Sequence, residues 1–545
     1  MANRAAPPAD VRTTDVLVVG FGGAGACAAL EARSRGAQVL VLDRFEGGGA
    51  TAISGGVVYA GDTHIQREAG VADSVDDMVA YLSAEVGDVV SEATLRDFCA
   101  QSGPNIAWLA SHGVPFDASL CPVKTSYPTD DWFLYYSGNE GFLPFRERAR
   151  PAPRGHRAKG TSLPGRNLFA PLADSAQRNG VAVLQHCRAT DLVRDNGRVV
   201  GVDALLLEGR DAWWHGWFER AAINVVNYLP KVAKALRSRA ARLEQDRGRR
   251  IRVRAHRGVI LTTGGFIYNR QMVTEHAPGY RRGMPLGTGG CNGDGHRMGA
   301  AIGGALQRMD RVSAWRFLNP PAAFTKGMLI DRAGRRFVNE ALYGAAVGEA
   351  MVEQNEGQGL LIIDERLKRL ARSQLGRGQT QWFQTAPALL NLWFNCRRAS
   401  SVEALARLCK VDLQVLRETL ATYNGDTVRQ GPDAFGKDDR AELRPPFYVV
   451  DVGIRSKVWP LPTLTLGGLA VDEATGGVTD RSGHIIPGLF AAGRAAVGVC
   501  AHQYVSGLSI ADCVYSGRRA GREAAQRHTA TTRDNPGRGA ARRSR

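Results

Sequence analysis

The chain has 545 residues, more than one hydrophobic core ordinarily supports, so two domains are expected. Its 44% hydrophobic content and 64 glycines fit a soluble α/β protein rich in turns, and no apolar run reaches the ~18 residues that a membrane span requires. The net charge of +17 is partly concentrated at residues 231–257 and after residue 528, which argues against a nucleic-acid partner; a basic nucleic-acid-binding protein stays as a remote alternative, favoured by salt-dependent retention on DNA without a yellow chromophore.

Residues 15–43 read as a dinucleotide-binding βαβ unit. Residues 16–19 form a buried strand, Gly20-Phe21-Gly22-Gly23-Ala24-Gly25 turns into an Ala-rich helix, and a second strand, 39–42, ends on Asp43. Gly20 permits the tight turn, Gly22 leaves room for a pyrophosphate, and Gly25 lets helix and strand pack closely. The free N–H groups of the helix start, around Gly23 and Ala24, face the phosphates, and Asp43 is placed to bond a ribose diol. An ADP-containing cofactor follows from this unit alone. Arg44 and the Gly-rich stretch behind it (Gly48, Gly49, Thr51, Ser54, Gly55 and Gly56) add candidate contacts, because small residues and hydroxyls let a large planar group approach the backbone.

Residues 73–112 carry helical periodicity. A helix over 167–178, a strand over 181–185 and a hairpin through Asp195-Asn196-Gly197-Arg198 resume the α/β pattern. A strand at 258–261 then leads into Thr262-Thr263-Gly264, where Thr263 and Gly264 are candidate contacts. Between them, residues 208–250 form an amphipathic helical insert. Trp213, Trp214, Trp217, Phe218, Ala221, Val225, Tyr228, Leu229, Val232 and Leu236 recur at helical spacing, with Lys231, Lys234, Arg237, Arg239 and Arg242 on the same stretch. Two readings stay open for it: a hairpin packing on its own domain or a partner subunit, or peripheral membrane contact through residues 210–245. From 281 to about 441 the pattern changes to an interrupted α+β style. The first style returns at 467–472 and 488–494 and in a helix from Ser509. The nine cysteines are scattered and never in C-x-x-C spacing, so free thiols and no metal are expected. The first residues lack the apolar core of a signal peptide, and the expected location is cytoplasmic, with the membrane surface as the other option.

The stretches VVGFGGAGACAA, GGGATAISGG, ILTTGGF, GDGHRMG (293–299), GRRFVNE (334–340), TLGGLAVD (465–472) and GLFAAGR (488–494) together resemble the fumarate reductase and 3-ketosteroid dehydrogenase flavoproteins, in the family's own order. The resemblance implies an α/β fold in which a Rossmann-type FAD-binding domain is interrupted by an α+β catalytic cap. The expected parts are 1–282 and 444–528 for the FAD-binding domain, 208–250 for the insert, 283–443 for the cap, and 529–545 for a disordered basic tail. No histidine lies between Asp43 and Gly56, so the implied FAD is non-covalent. Gly493 and Arg494 are implied at the ribityl chain or diphosphate. The helix start at Ser509 and Ile510 is implied at the flavin's pyrimidine edge, where its N–H groups favour negative charge.

Within the family, fumarate reductases need cations for two substrate carboxylates, with an arginine shortly after the RFVNE motif. Here residues 341–348, ALYGAAVG, carry no charge, which counts against a dicarboxylate. Tyr343 and the Tyr504-x-Ser506-Gly507 segment instead resemble catalytic positions of ketosteroid dehydrogenases, the second closer to 4-dehydrogenases than to 1-dehydrogenases. The implied activity is therefore introduction of a ring-A double bond into a 3-ketosteroid, 4-desaturation ahead of 1-desaturation, with a fumarate-reductase-like enoate reductase as the alternative. The expected roles are Tyr343 as base, Tyr504 as the acid that polarises the ketone, and Ser506 as relay, the two tyrosines being exchangeable. Tyr135 and Tyr136 are candidate pocket residues, and the electron acceptor is left open.

Overall fold

The structure, a computed structural model, describes residues 10–226, 229–376, 378–429 and 431–526; Tyr228 of the aromatic stripe and the expected tail 529–545 lie outside the described residues. The βαβ unit forms as read. β1 (Asp10–Val19) pairs in parallel with β2 (Val39–Leu42), Val16 opposite Val39. Between them α1 (Gly23–Ser34) is buried along nearly its whole length, which its alanines and Cys27 permit because they demand little width. Gly25 is obligatory there: a Cβ would lie 1.9 Å from the Gly20 carbonyl oxygen.

A small antiparallel sheet follows, with β3 (Val57–Tyr59), β4 (Leu134–Tyr135) and β5 (Gly155–Arg157), β5 in the middle. The periodic stretch 73–112 divides into α2 (Val75–Val86) and α3 (Glu92–Ser111), each started by a serine, Ser74 and Ser91, whose side chain accepts a first-turn N–H. After α4 (Gly165–Arg178), β6 (Ala182–Leu184) extends the main sheet beside β2. β7 (Cys187–Asp195) and β8 (Arg198–Leu206) form the expected hairpin, turning through Asn196 and Gly197, both at positive φ. The insert is a pair of helices, α5 (Gly209–Val225) and α6 (Pro230–Arg247).

β9 (Arg249–Leu261) is far longer than the strand expected at 258–261. Its first half alternates buried Ile251, Val253 and Ala255 with outward Arg250, Arg254 and His256. Those charges disguise a period-2 pattern as part of the basic insert. Arg249 pairs with Glu208 and Arg252 with Asp203, so the arginines stitch the strand's outer face.

Residues 318–452 build a second core around an antiparallel sheet. Its strands are β10 (Met328–Ile330), β11 (Leu360–Asp364), β12 (Cys396–Ala399) and β13 (Phe447–Asp451), in the order β10-β11-β13-β12. β13 lies past residue 443, where the sequence pattern places the return to the first domain, and its buried Phe447, Val449 and Val450 belong to this core. Helices α7 (Gly344–Asn355), α8 (Glu365–Ser373) and α9 (Trp382–Phe394) surround it.

The chain then rejoins the main sheet through β14 (Gly477–Thr479) and β15 (Ile485–Ala491), giving the path β14-β15-β9-β1-β2-β6. The closing helix, α10 (Leu508–Ala524), crosses α1 at glycines. A Cβ at Gly517 or Gly521 would stand 2.5 or 2.3 Å from the carbonyl oxygens of Ala24 and Ala28. This close crossing brings the far end of the chain onto the first βαβ unit.

Candidate functional site

A cavity of about 400 Å³ opens where the β1–α1 turn, the 43–53 loop, the end of β9, α5 and Arg494 meet. Three features show what it receives. Helix α1 starts at Gly22, whose missing side chain cannot cap it; Gly23 N donates to Thr51 Oγ1 at 3.1 Å, and Gly22 beside it lines the cavity. Arg494 faces the cavity with no carboxylate partner among the described residues, its one side-chain hydrogen bond there being to Cys291 Sγ at 3.8 Å. The Thr263 hydroxyl is buried without a partner. An unspent cation, an uncapped helix start and an orphan hydroxyl around an elongated cavity fit a dinucleotide diphosphate.

Gly25, Gly48, Ser54, Gly55, Gly56, Gly493, Ser509 and Ile510 do not line this cavity; the other expected cofactor contacts do. Each of the eight shapes the chain instead. Gly25 permits the helix–strand approach already described, and Gly48, at φ +84°, gives its N–H to the Phe21 carbonyl at 2.7 Å. Ser54 and Gly55 accept bonds from Gly165 N and the Tyr127 hydroxyl, and Gly56 lies against Pro164 at positive φ. Gly493 N bonds Ser516 Oγ, and Ser509 and Ile510 open α10 next to Ser506.

Asp43 lines the cavity and is also bound by the chain itself. Its carboxylate accepts three backbone N–H bonds, from Phe21 at 2.7 Å, Phe45 at 2.8 Å and Gly47 at 3.1 Å. Burial raises its pKa, and these donors pull it back. Its first task is to tie the phosphate turn to the 43–47 loop.

The insert contributes a wall that its aromatic pattern conceals. The inner face of α5, with Gly216, Glu219, Ile223 and Asn224, lines the cavity. Glu219 accepts from Gly289 N at 2.6 Å and from Arg237 of α6 at 3.3 Å. Glu244 of α6 receives Arg44 at 2.6 Å, Arg188 at 3.3 Å and His215 at 2.9 Å, and the His215 ring stacks on Phe45 at 4.8 Å. Burial pushes Glu244 upward, but Arg44 and the His215 bond prevail and hold it at about 2. The insert is thus a hairpin packed on its own chain by its polar face. Trp213, Trp214 and Trp217 of the expected stripe point outward. The stripe identified the helices but not the side that packs, because the buried side carries carboxylates that meet Arg44 and Arg188 from outside the insert and Arg237 from its second helix.

The phenolic candidates gather at a second place. Tyr504 lies against Trp315 with ring centroids 5.0 Å apart, Trp315 is 5.8 Å from Phe317, and Phe317 is 5.4 Å from Tyr343. β4 holds Tyr135 so that its hydroxyl is 3.1 Å from Ser506 Oγ. The small sheet is pinned there by Tyr59 N donating to the Gly507 carbonyl at 3.2 Å, and by Ser137 Oγ donating to the Ser506 carbonyl at 3.1 Å. Burial raises the Tyr343 phenol well above its ordinary value, and the nearby Ser506 offsets a small part of this. Burial raises all three tyrosines, and Arg494 partly offsets this at Tyr504. Tyr343 is held from behind: its N–H donates to Asn139 Oδ1 at 2.6 Å, and Asn139 Nδ2 donates to Glu85, which burial pushes up to about 7.

Tyr136 does not join the cluster. It follows Tyr135 on an extended segment and turns to the opposite face, among Glu140, Arg154 and Asp73. The sequence offered no sign of Trp315, Phe317 or Asn139, since each reaches the site only through tertiary contact. The charged neighbour in the chain, Arg316, turns to Trp459, donating to its carbonyl at 2.8 Å with the guanidinium 4.9 Å from the ring.

The sequence profile described as FAD binding domain matches residues 15–510. The chain is 38% identical to a 3-oxo-5-alpha-steroid 4-dehydrogenase of Comamonas testosteroni over 88% of this chain and 92% of the relative. It is 25% identical to a fumarate reductase (cytochrome) of Shewanella frigidimarina over 94% of this chain and 77% of the relative. Among solved structures, the 3-ketosteroid-delta4-(5alpha)-dehydrogenase of Rhodococcus jostii RHA1 in complex with 4-androstene-3,17-dione superimposes with a TM-score of 0.79. It is 31% identical and covers 96% of this chain and 99% of that one.

Proposed function

The chain belongs to the FAD binding domain family of flavoproteins, and from that premise we propose that it is a 3-ketosteroid dehydrogenase introducing a ring-A double bond, at position 4 ahead of position 1. The relatives that act on 3-oxo steroids are similar over most of the chain's length, and an aromatic, uncharged site suits such a substrate. The observation that carries the reading is the gathering of Tyr343 and Tyr504 along one aromatic wall, with Tyr135 at 3.1 Å from Ser506 Oγ beside them. A buried phenol is a poor base by itself, because its ordinary pKa of about 10 is raised further. A base whose own proton leaves along a chain of hydroxyls avoids that difficulty.

Tyr343 therefore takes the proton from the carbon beside the ketone as its own proton passes to Ser506; Ser506 hands its own to Tyr135, and Tyr135 releases one to solvent water, so that each hydroxyl ends as it began. Tyr504, whose phenol is raised by burial and partly eased by the field of Arg494, donates a hydrogen bond to the ketone oxygen, favouring the charge that develops there. Bound FAD supplies the acceptor for the hydride that leaves the neighbouring carbon. Trp315 and Phe317 give the site an apolar wall that excludes water. The fumarate-type alternative is disfavoured because residues 341–348, after the RFVNE stretch, carry no charge to meet a substrate carboxylate. Of the two readings of residues 210–245, the hairpin packed on its own domain is favoured over membrane contact, because Glu219 and Glu244 bind the insert to the rest of the chain.

The deciding experiment incubates the enzyme with 5α- and 5β-reduced 3-ketosteroids and with 4-ene-3-ketones plus an artificial electron acceptor, and locates the product double bond by NMR. A 4-ene from the 5α-reduced ketone is the expected product. Reoxidation of the reduced protein by fumarate, with no reaction on any ketosteroid, would sink the proposal.

A further inference from the structure

Helix α9 presents an unusual face. Its 13 residues, WFQTAPALLNLWF, contain no charge. Ala388, Asn391 and Leu392 turn inward, so Trp382, Leu390, Trp393 and Phe394 form a stripe on the water side, with Phe394 74% exposed and Trp382 63%. A stripe about 20 Å long made of large apolar side chains is costly in water and marks a surface that another phase or molecule covers.

Its surroundings are strongly basic. Residues 365–400 contain one acid, Glu365, against seven lysines and arginines. Arg366 and Arg372 on α8 and Arg397 and Arg398 on β12 are exposed. Cys396, two residues past the stripe, lies in the field of Lys368 and Arg372, which places the charge at the stripe's end. Glu365, the single acid, is already occupied by Arg369 and the Tyr448 hydroxyl. Tryptophan and phenylalanine flanked by arginines that form no salt bridge among the described residues match the boundary between acyl chains and anionic headgroups.

The stripe also starts beside the reaction site. Gln381 donates to the Pro128 carbonyl at 3.1 Å and to Asp130 at 2.7 Å, and Phe383 lies 5.8 Å from Tyr127. Tyr127 is 6.4 Å from Tyr135 of the hydroxyl line. The outward tryptophans of α5, by contrast, sit on the helix that walls the cofactor cavity.

We propose that the α9 face with its arginine border docks on an anionic phospholipid surface, so that an apolar substrate dissolved in the bilayer reaches the tyrosine cluster without crossing water. The route to the cluster rests on the steroid reading; the docking does not. The test is sedimentation of the intact holoenzyme with vesicles of phosphatidylcholine alone and of phosphatidylcholine with phosphatidylserine. The wild type is expected to bind the second kind, and salt is expected to weaken it. A W382S/W393S/F394S variant, with FAD absorbance retained as the sign of folding, is expected to bind at least about tenfold more weakly. W213S/W217S is expected to bind as wild type.

Equal binding by the W382S/W393S/F394S variant, loss only in W213S/W217S, or no wild-type binding to either vesicle overturns the proposal. So does a wild-type dimer that this triple variant turns into monomers, which would make a second copy the cover. Turnover of a detergent-solubilised ketosteroid without vesicles is read separately, so failure of the steroid reading leaves the docking result interpretable.

Discussion

The cofactor cavity and the tyrosine cluster are built on opposite plans. The cavity is backbone and charge: glycines at a turn, an uncapped helix start, the unspent Arg494, and a border in which Arg44 and Arg188 meet Glu244 and Asp294. The cluster is side-chain hydroxyl and ring: three phenols, a serine and an aromatic wall, with Glu85 linked to it through Asn139. A diphosphate requires donors and positive charge, while a ketone on an apolar skeleton requires hydrogen bonds in a dry site. The difference teaches that the two halves of the chemistry tolerate different damage, and it can be broken from either side.

The largest effect should fall on the cavity's backbone. Gly25→Val forces a side chain into the Gly20 carbonyl, where even a Cβ would stand 1.9 Å away. The expected cost exceeds about 3 kcal/mol, giving a colourless protein with a lowered melting temperature. A yellow Gly25→Val protein of normal stability would mean that the backbone plan is wrong. Next comes the cluster. Tyr504→Phe should keep FAD absorbance and stability while turnover falls by about 10² to 10³. Ser506→Ala should fall by about 10², with its loss greatest at low pH if the hydroxyl line carries the proton. If either variant loses FAD as readily as activity, the two regions are not separable in the way their geometry indicates.

Legibility in the sequence follows the same division. The cavity's core was readable because one contiguous run, from Val16 to Asp43, supplies strand, turn, helix and acid, and local chemistry fixes all of them. Asp43 shows the limit of that reading: the acid was visible, but not that three backbone N–H groups would take it first. The cluster was visible only as tyrosines at positions resembling a family's, since Tyr135, Tyr343 and Ser506 come from three distant segments. The insert failed in a third way. Its apolar periodicity was real, but burial there was decided by Glu219 and Glu244 finding partners that no local pattern reveals.

The charged border of the cavity makes a smaller, pH-dependent prediction. Glu244 is held at about 2, below its unfolded value of 4.5. Its contribution is therefore complete above about 4.5 and is lost as the pH falls toward 2; the shift corresponds to about 3 kcal/mol at most. Tryptophan fluorescence of α5 should report loosening of the insert in that window. Glu244→Gln should remove the dependence and raise the FAD dissociation constant by about tenfold at neutral pH. An acid transition unchanged in Glu244→Gln would shift the cause to another carboxylate of the border.

Tyr136 supplies the smallest expected effect and the sharpest check on the cluster's boundary. It adjoins Tyr135 in sequence, and the motif alone gives no reason to prefer one over the other. The strand does: Tyr135 reaches Ser506 at 3.1 Å, while Tyr136 faces Glu140 and Arg154. Tyr135→Phe should therefore slow turnover by about tenfold or more by cutting the exit of the hydroxyl line, whereas Tyr136→Phe should change it by less than about twofold, because no hydroxyl in that line depends on it. Steady-state rates of the two variants, measured with FAD saturating, decide the matter. Equal losses would mean that the alternation of β4 does not govern which phenol serves the reaction, and the relay would have to be redrawn through the buried acids behind it.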